Sequence, residues 1–503
     1  MKKSIARAND TTRFIVENIA NPLFITFANE KIKHKREIPI MDRMVLTSGS
    51  QVRYVETKKF TIPPELKVVS QNNPVDVVVC GDYNSKYREI AEYLAKTISQ
   101  NEKFYAYSFL SGAKIKVEGD GREDFEPRYI DHFSLYHTVD KLKNLYLYAS
   151  RIPNGSVLLI EDIDELVLDY KMRHDTVTVE EIVYLLHQDL VKNGGLNLVI
   201  PTIHKNIELI TIVDTLLTID VEKIGDYPIQ VINIEQVRKK KLKKTYVIGG
   251  SEGKYMFYKS TEKYKKGKLG IVSPTKMIST GIRDLDIYLG GGLSPGTYNV
   301  IEISNDVPEE IYNVILFSIA ISNIKSHRGV LLAPSERFST EEYYRIIKAH
   351  IDESEIRFLK IIKSTPLVEK LNYIVDGFSK TPEDRHAIWK SVMEYLNRIS
   401  EGPVLDITEY GPIEARYSGE ELITLVTQGI NWLSEWGDIG IGILPEESEV
   451  KRNIMYLTRN YLKIFDFHGV YMIQSIKPRR SPKIIQMGSD NNEINIRLRR
   501  LIY

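Results

Sequence analysis

The sequence predicts an α/β protein of two tandem domains, each a parallel sheet flanked by helices, with a small β-rich extension at the N-terminal end. Three observations carry that expectation. Short apolar runs alternate with helical patterns from Val75 onward, as in a parallel sheet covered on both faces. Two of those runs enter a polar turn and then a helix, the strand–loop–helix of a phosphate-binding unit. Between the two blocks, Lys259–Lys268 (KSTEKYKKGK) is basic and poor in apolar residues, the composition of a linker. The expected boundaries are 1–70 for the extension, 71–258 for the first domain, 259–269 for the linker and 270–503 for the second domain.

At 503 residues the chain can build several sizeable cores, and its 43% apolar and 27% charged fractions are ordinary for a globular protein. The start, MKKSIARANDTTRF, has no apolar run behind its cations, and no apolar stretch is long enough to span a bilayer. A soluble, cytoplasmic protein without a membrane partner is expected. The single cysteine, Cys80, excludes an internal disulfide and a cysteine-based metal site, and its place after Val77–Val79 predicts burial. The ten histidines show no metal-ligand spacing; His132 and His137 would not share one helix face. No metal centre is expected. Thirty tyrosines, one cysteine and abundant Lys, Glu and Ile lean toward thermophile composition.

The net charge is only +1, but residues 1–74 hold 13 Lys/Arg against 7 Asp/Glu, 235–270 hold 12 against 3, and 475–503 hold 7 against 2. These three segments are either solvated surface or contacts to a polyanion.

In chain order, alternating runs at Leu23–Phe27 and Gln51–Glu56, broken by Asn21-Pro22 and Pro63-Pro64, predict the β-rich extension. Val75–Val79 is a buried strand, and Ser85–Leu94 a helix with Ile90, Ala91 and Leu94 on one face. A working phosphate turn reads G-x-x-x-x-G-K-[ST]: glycines let amides face phosphate, Lys reaches the outer phosphates and the hydroxyl holds magnesium. Aligned on Lys86, the turn has Cys80 in place of the first Gly, with Gly81 next to it, Ser85 in place of the second Gly and Tyr87 in place of the hydroxyl. Ser156–Ile160 is an apolar strand running into Glu161 and Asp162. Leu185–Val191, Leu196–Ile200 and Thr211–Ile219 follow as helix, strand and strand. The basic run Arg238, Lys239, Lys240, Lys241, Lys243 and Lys244 comes next, and Lys254–Lys259 interleaves cations with aromatics that could stack on bases.

The second block opens at Met277–Ser322, where a strand around Asn299–Ile303 meets a turn with Glu309 where Lys belongs and Glu310 where the hydroxyl belongs. A carboxylate about 4 Å from a phosphate repels it by ~1 kcal/mol in water, more when half-buried. This turn is read as inactivated. Gly329–Ala333 is a strand leading to Glu336, Gly402–Asp406 a strand ending in Asp406, Glu421–Trp436 a helix, and Ile439–Leu444 and Gly469–Ser475 two further strands. The basic cluster Lys477, Arg479, Arg480 and Lys483 follows.

The segment Ile278–Gly296, ISTGIRDLDIYLGGGLSPG, resembles the entry to the core domain in the KaiC-like branch of the RecA-type ATPases, of archaeal type. The resemblance extends over residues 70–503 and implies two tandem RecA-like P-loop domains. It would make Asp162 the magnesium aspartate and Glu161 the water-activating acid of the first domain, with Asp406 and Glu336 in the corresponding places of the second. Val213–Tyr258 would be the closing hairpins, and Lys477–Lys483 the cations that in relatives reach a neighbouring subunit's nucleotide. Both turns depart from the family at phosphate-contacting positions. The expectation is therefore a catalytically inactive RecA-like pseudo-ATPase that acts as a scaffold on a nucleic-acid partner, a ribosomal subunit or DNA, and uses no cofactor. Two alternatives stand beside it: an ATP-binding enzyme or switch using only Lys86 and Asp162, and a protein-only scaffold or inactive subunit of a homo- or hetero-oligomeric ring.

Overall fold

The computed structural model describes residues 51–68, 74–99, 104–110, 112–116, 138–172, 177–204, 208–251, 254–270, 278–335, 340–363, 372–377, 381–490 and 493–502. The run Leu23–Phe27 and Glu336 lie outside them. Residues 52–503 form one compact unit.

In chain order its elements are β1 (Val52–Phe60), β2 (Asp76–Gly81), α1 (Tyr87–Ile98), β3 (Phe104–Ser108), β4 (Gly112–Lys116), α2 (Thr138–Ala149), β5 (Val157–Glu161), α3 (Ile163–Met172), α4 (Val179–Leu186), β6 (Asn197–Thr202), β7 (Thr215–Ile224), β8 (Tyr227–Val237), β9 (Lys240–Ser251) and β10 (Lys254–Leu269). There follow α5 (Arg283–Leu289), β11 (Thr297–Ile303), α6 (Glu309–Ile324), β12 (Val330–Ala333), α7 (Thr340–Lys348), β13 (Leu359–Lys363), β14 (Ile374–Asp376), α8 (Pro382–Ile399), β15 (Leu405–Glu409), α9 (Gly419–Trp436), β16 (Ile439–Pro445), α10 (Lys451–Leu457), β17 (Asn460–Phe467), β18 (Val470–Lys477), β19 (Lys483–Asp490) and β20 (Glu493–Arg500).

The first half has a parallel core in the spatial order β3-β5-β6-β2-β7. From β7 it continues as an antiparallel meander through β8, β9 and β10 to β1. The second half has a parallel core in the order β14-β13-β12-β15-β16-β11-β17, continued antiparallel through β18, β19 and β20. Thus β3-β5-β6-β2-β7 and β12-β15-β16-β11-β17 are the same order, with the earliest strand of each core next to last. β10 pairs with β20 at Lys268 and Leu269, which joins the two sheets.

Strand alternation explains the layers. Val77 and Val79 of β2 face Ile90 and Leu94 of α1, whereas Val78 and Cys80 face Leu166 of α3 and Val183 of α4. Cys80 is buried, as its apolar setting predicts. In the second half, Tyr298 and Val300 pack on Leu396 of α8 and Leu433 of α9. α6 is buried on every side from Ile311 to Ile324, the mark of a helix inside a core; its outer neighbour is β1. All three tryptophans, Trp389, Trp432 and Trp436, pack together in this half.

Two expectations are corrected. The stretch read as a linker, 259–268, lies within the 16-residue strand β10, whose residues 257–260 and 264–267 pair with β1 on either side of a bulge. Residues 262–266 are all exposed, so the polarity there reflects a strand wet on both faces and not a loose connection. The segment 52–60, read as part of an extension, is the strand that pairs with it.

Candidate functional site

The carboxyl edge of a parallel core is where ligands bind in open α/β sheets, and both halves place a turn there. β2 ends at Gly81 and α1 begins at Tyr87; β11 ends at Ile303 and α6 begins at Glu309, so the turns are equal in length. Strand registers agree with this match. Lys86 therefore corresponds to Pro308, Tyr87 to Glu309, Arg88 to Glu310 and Cys80 to Glu302. The alignment of Glu309 with the phosphate-loop lysine is off by one residue relative to the first half.

In the first turn three of the amides that would cradle phosphate are already bonded. Asn84 N donates to Asp82 Oδ1 at 2.9 Å, Ser85 N to the Asp82 carbonyl at 3.0 Å, and Lys86 N to Gln230 Oε1 at 3.1 Å. The turn also folds tightly over Gly81, where an added Cβ would stand 2.3 Å from Ser85 Oγ and 2.4 Å from Tyr87 Cβ. Lys86 Nζ is 3.9 Å from Glu89 Oε2, one helical turn on. The cation that reaches the acid is Arg88: its Nη1 is 3.0 Å from Asp162 Oδ1, and its Nε donates to Tyr87 Oη at 2.9 Å. Burial pushes the Tyr87 hydroxyl up from its ordinary value, and the hydrogen bond to Tyr87 raises Arg88. Asp162, left-handed at φ 61° and buried, also accepts from Ser108 Oγ at 2.5 Å. Asp164 accepts from Thr202 Oγ1 at 2.6 Å and from Ile203 N at 3.2 Å. Of the predicted residues, Gly81, Ser85, Lys86 and Tyr87 lie at the turn, Asp162 meets it through Arg88, and Glu161 closes β5 at the same edge. Arg88, Asp164 and Gln230 were missed, since nothing local signals a glutamine brought in from β8.

The second turn is closed by carboxylates. Glu302, 2% exposed, is 2.8 Å from Lys451 Nζ and 3.2 Å from Lys463 Nζ, and accepts from Tyr461 Oη at 2.6 Å. Lys463 also meets Glu446 at 2.7 Å, and that bond holds the Glu446 carboxyl below its usual range. The other oxygen of Glu446 accepts from Asn305 N at 3.4 Å. Ser304 N donates to the Ile464 carbonyl at 3.0 Å and Val307 N to the Ser304 carbonyl at 3.0 Å. Glu409 closes β15 as Glu161 closes β5; it accepts from Tyr343 Oη at 3.0 Å, and burial pushes its carboxyl up.

Asp406 is not at this edge. It is the second residue of β15, matching Leu158, because the strand runs to Glu409 and not to Asp406. It lies at a half-open pocket of about 60 Å³ with Arg385, Trp389, Thr408 and Tyr410. Burial raises its carboxyl to about 7, opposed by bonds from Trp389 and Thr408.

The basic residues divide into two groups. Lys477 Nζ caps the Met455 and Tyr456 carbonyls at 3.1 Å each, Arg479 pairs with Asp226, Arg480 donates to the Tyr288 carbonyl, and Lys483 is half-buried. The C-terminal cluster is thereby engaged within the chain. At the β8–β9 hairpin, Lys244 pairs with Glu65 at 2.7 Å, whereas Lys239, Lys240, Lys241 and Lys243 are exposed. Arg238 and Lys239 form a two-residue turn with φ of 47° and 63°, and Lys243, at a bulge, has φ 48°.

Among the described residues, one group of side chains converges as metal ligands would: Asp76, His187 and Asp214, at the opposite end of β2 from the turn. Burial, with Asp76 beside it, pushes the Asp214 carboxyl up. Its members lie far apart in sequence, which hid it from a search for ligand spacing. Among the described residues no helix is long and apolar enough to cross a membrane. No protein-family model and no curated protein matches the chain.

Proposed function

We propose that the chain is a catalytically inactive scaffold of two tandem RecA-like domains that binds a nucleic-acid surface, such as that of a ribosomal subunit, through the β8–β9 hairpin. The repeated strand order and the equal turns at equivalent strand ends support the tandem reading. The bonded amides of both turns support inactivity, because a triphosphate would have to displace Gln230, Asp82 or Glu446 from donors they already satisfy.

The observation that carries the binding reading is the conformation of the hairpin. Arg238, Lys239 and Lys243 stand at positive φ, where Gly or Asn fits and other residues cost about 1 kcal/mol each. Cations at strained positions on an exposed turn serve something other than folding. A clustered set of lysines releases counterions on meeting phosphate, so its binding is steeply salt-dependent.

The test is sedimentation of the native protein from cell extract through a density gradient, at low and high salt, with and without nuclease. Migration with ribosomal subunits, released by salt, is the expected result. Migration with DNA would assign the hairpin to DNA instead. A complex that survives both salt and nuclease would favour a protein-only scaffold, and light fractions throughout would overturn the proposal.

A further inference from the structure

We infer that Asp76, His187 and Asp214 form a binding site for a divalent transition-metal ion that clamps the amino end of the first core. This inference does not depend on the nucleic-acid reading. The three residues come from three elements: Asp76 opens β2, Asp214 immediately precedes β7, and His187 begins a π-helical stretch, His187–Asn193, that continues α4. Such stretches are rare and concentrate at functional sites.

The donors already face one another. His187 Nδ1 is 3.3 Å from Asp76 Oδ2 and 4.0 Å from Asp214 Oδ2, and all three ligand atoms lie within 4.8 Å of one another. A tetrahedral ion with bonds near 2.0–2.2 Å holds its ligands roughly 3.3 Å apart, so small side-chain rotations close the set. Asp76 is fixed for the task, because its Oδ1 accepts from Asp214 N at 2.6 Å and this directs Oδ2 inward.

Burial supplies the second observation. Asp76 is fully buried and His187 is 2% exposed, yet Asp76 Oδ2 and both imidazole nitrogens have no hydrogen-bond partner. Buried polar atoms are nearly always satisfied, and an unsatisfied group asks for a ligand. A bare His–Asp pair is the competing account, but its 3.3 Å contact lacks hydrogen-bond geometry, and it leaves Nε2 and the second carboxylate unexplained. Two carboxylates and one neutral imidazole balance a dication, and this mixed N/O set suits Zn²⁺, Mn²⁺ or Co²⁺ better than Ca²⁺. Asp214 retains some exposure, 19% of its side chain, which leaves an approach for the ion and for a water ligand. With ligands on β2, β7 and α4, the ion acts as a structural clamp, and binding adds to the stability of the fold.

The experiment uses the full chain, stripped with EDTA and then titrated with Zn²⁺ alone. The expected result is about one tightly held equivalent, an unfolding midpoint raised by several degrees and restored by chelator, and loss of at least tenfold in affinity in Asp214→Asn and His187→Gln. Co²⁺ titrated into the unmodified chain should give the visible absorption of a low-coordinate N/O site, a readout that needs no variant to fold. A folded, stripped chain that takes up none of Zn²⁺, Mn²⁺ or Co²⁺ would overturn the inference, as would unchanged affinity in both variants.

Discussion

The turn after β2 and the turn after β11 have the same length and lie at the same edge of the same strand order, yet they close the cradle in opposite ways. The first keeps cations and brings its own acids to them: Arg88 to Asp162, and Lys86 toward Glu89. The second puts carboxylates at the turn and brings its own cations to them: Lys451 and Lys463 to Glu302, and Lys463 to Glu446. The contrast teaches that two turns of one length at one sheet edge can be held by opposite charge arrangements, each drawing partners for its amides and charges from the chain itself.

The largest expected effect lies in the second half. A carboxyl whose folded value is raised holds its proton more tightly in the fold, so its contribution is present below the unfolded value and lost as pH rises through the folded one. For Asp406, near 3.8 unfolded and about 7 folded, stability should fall across pH 4–7 by something on the order of 4 kcal/mol. Tryptophan fluorescence, confined to that half, would follow denaturant melts across the range, and Asp406→Asn should make the dependence shallower, leaving the part due to the raised Glu409 and Asp438 carboxyls. A flat profile in the unmodified chain would show that Asp406 is not held as described.

Next in size is Lys463→Ala. It leaves Glu302 buried with one cation fewer, and a denaturant melt should register a loss of about 3 kcal/mol. Lys86→Ala, by contrast, should stay within ~0.5 kcal/mol, since its partner is exposed and one turn away. Equal losses for the two lysines would erase the difference between the turns. Between them stand Lys239→Gly and Lys243→Gly, each expected to stabilise the chain by about 1 kcal/mol by relieving positive φ. The smallest effect is the absence of one: calorimetry with magnesium and ATP at millimolar concentration should detect no binding. Binding that depended on Lys86 would instead revive the first turn as a nucleotide site.

Much of the parallel core is legible in the sequence because its strands are continuous apolar runs; β2, β5, β6, β12 and β16 lie within a few residues of where hydrophobicity puts them. Strand β15 is misread because Asp406 interrupts its apolar run and looks like an end. β10 is misread because a lysine-rich strand exposed on both faces over 262–266 has the composition of a linker. The sites were less legible for a different reason. Gln230, Lys451 and Lys463 act on the turns from distant strands and helices, and Asp76, His187 and Asp214 meet only after the sheet forms. Charge identity can be read along a chain, but charge partnership is a property of the fold.

The most direct test of the scaffold account is a salt titration of binding to ribosomal RNA, comparing the unmodified chain with the Lys239→Gly/Lys243→Gly variant. The account predicts that log affinity falls linearly with log salt. It also predicts that the variant, though folded and no less stable, binds more weakly, with a slope shallower by about 0.7–0.9 for each phosphate it no longer neutralises. Salt-insensitive binding, no binding, or an unchanged slope in the variant would contradict it.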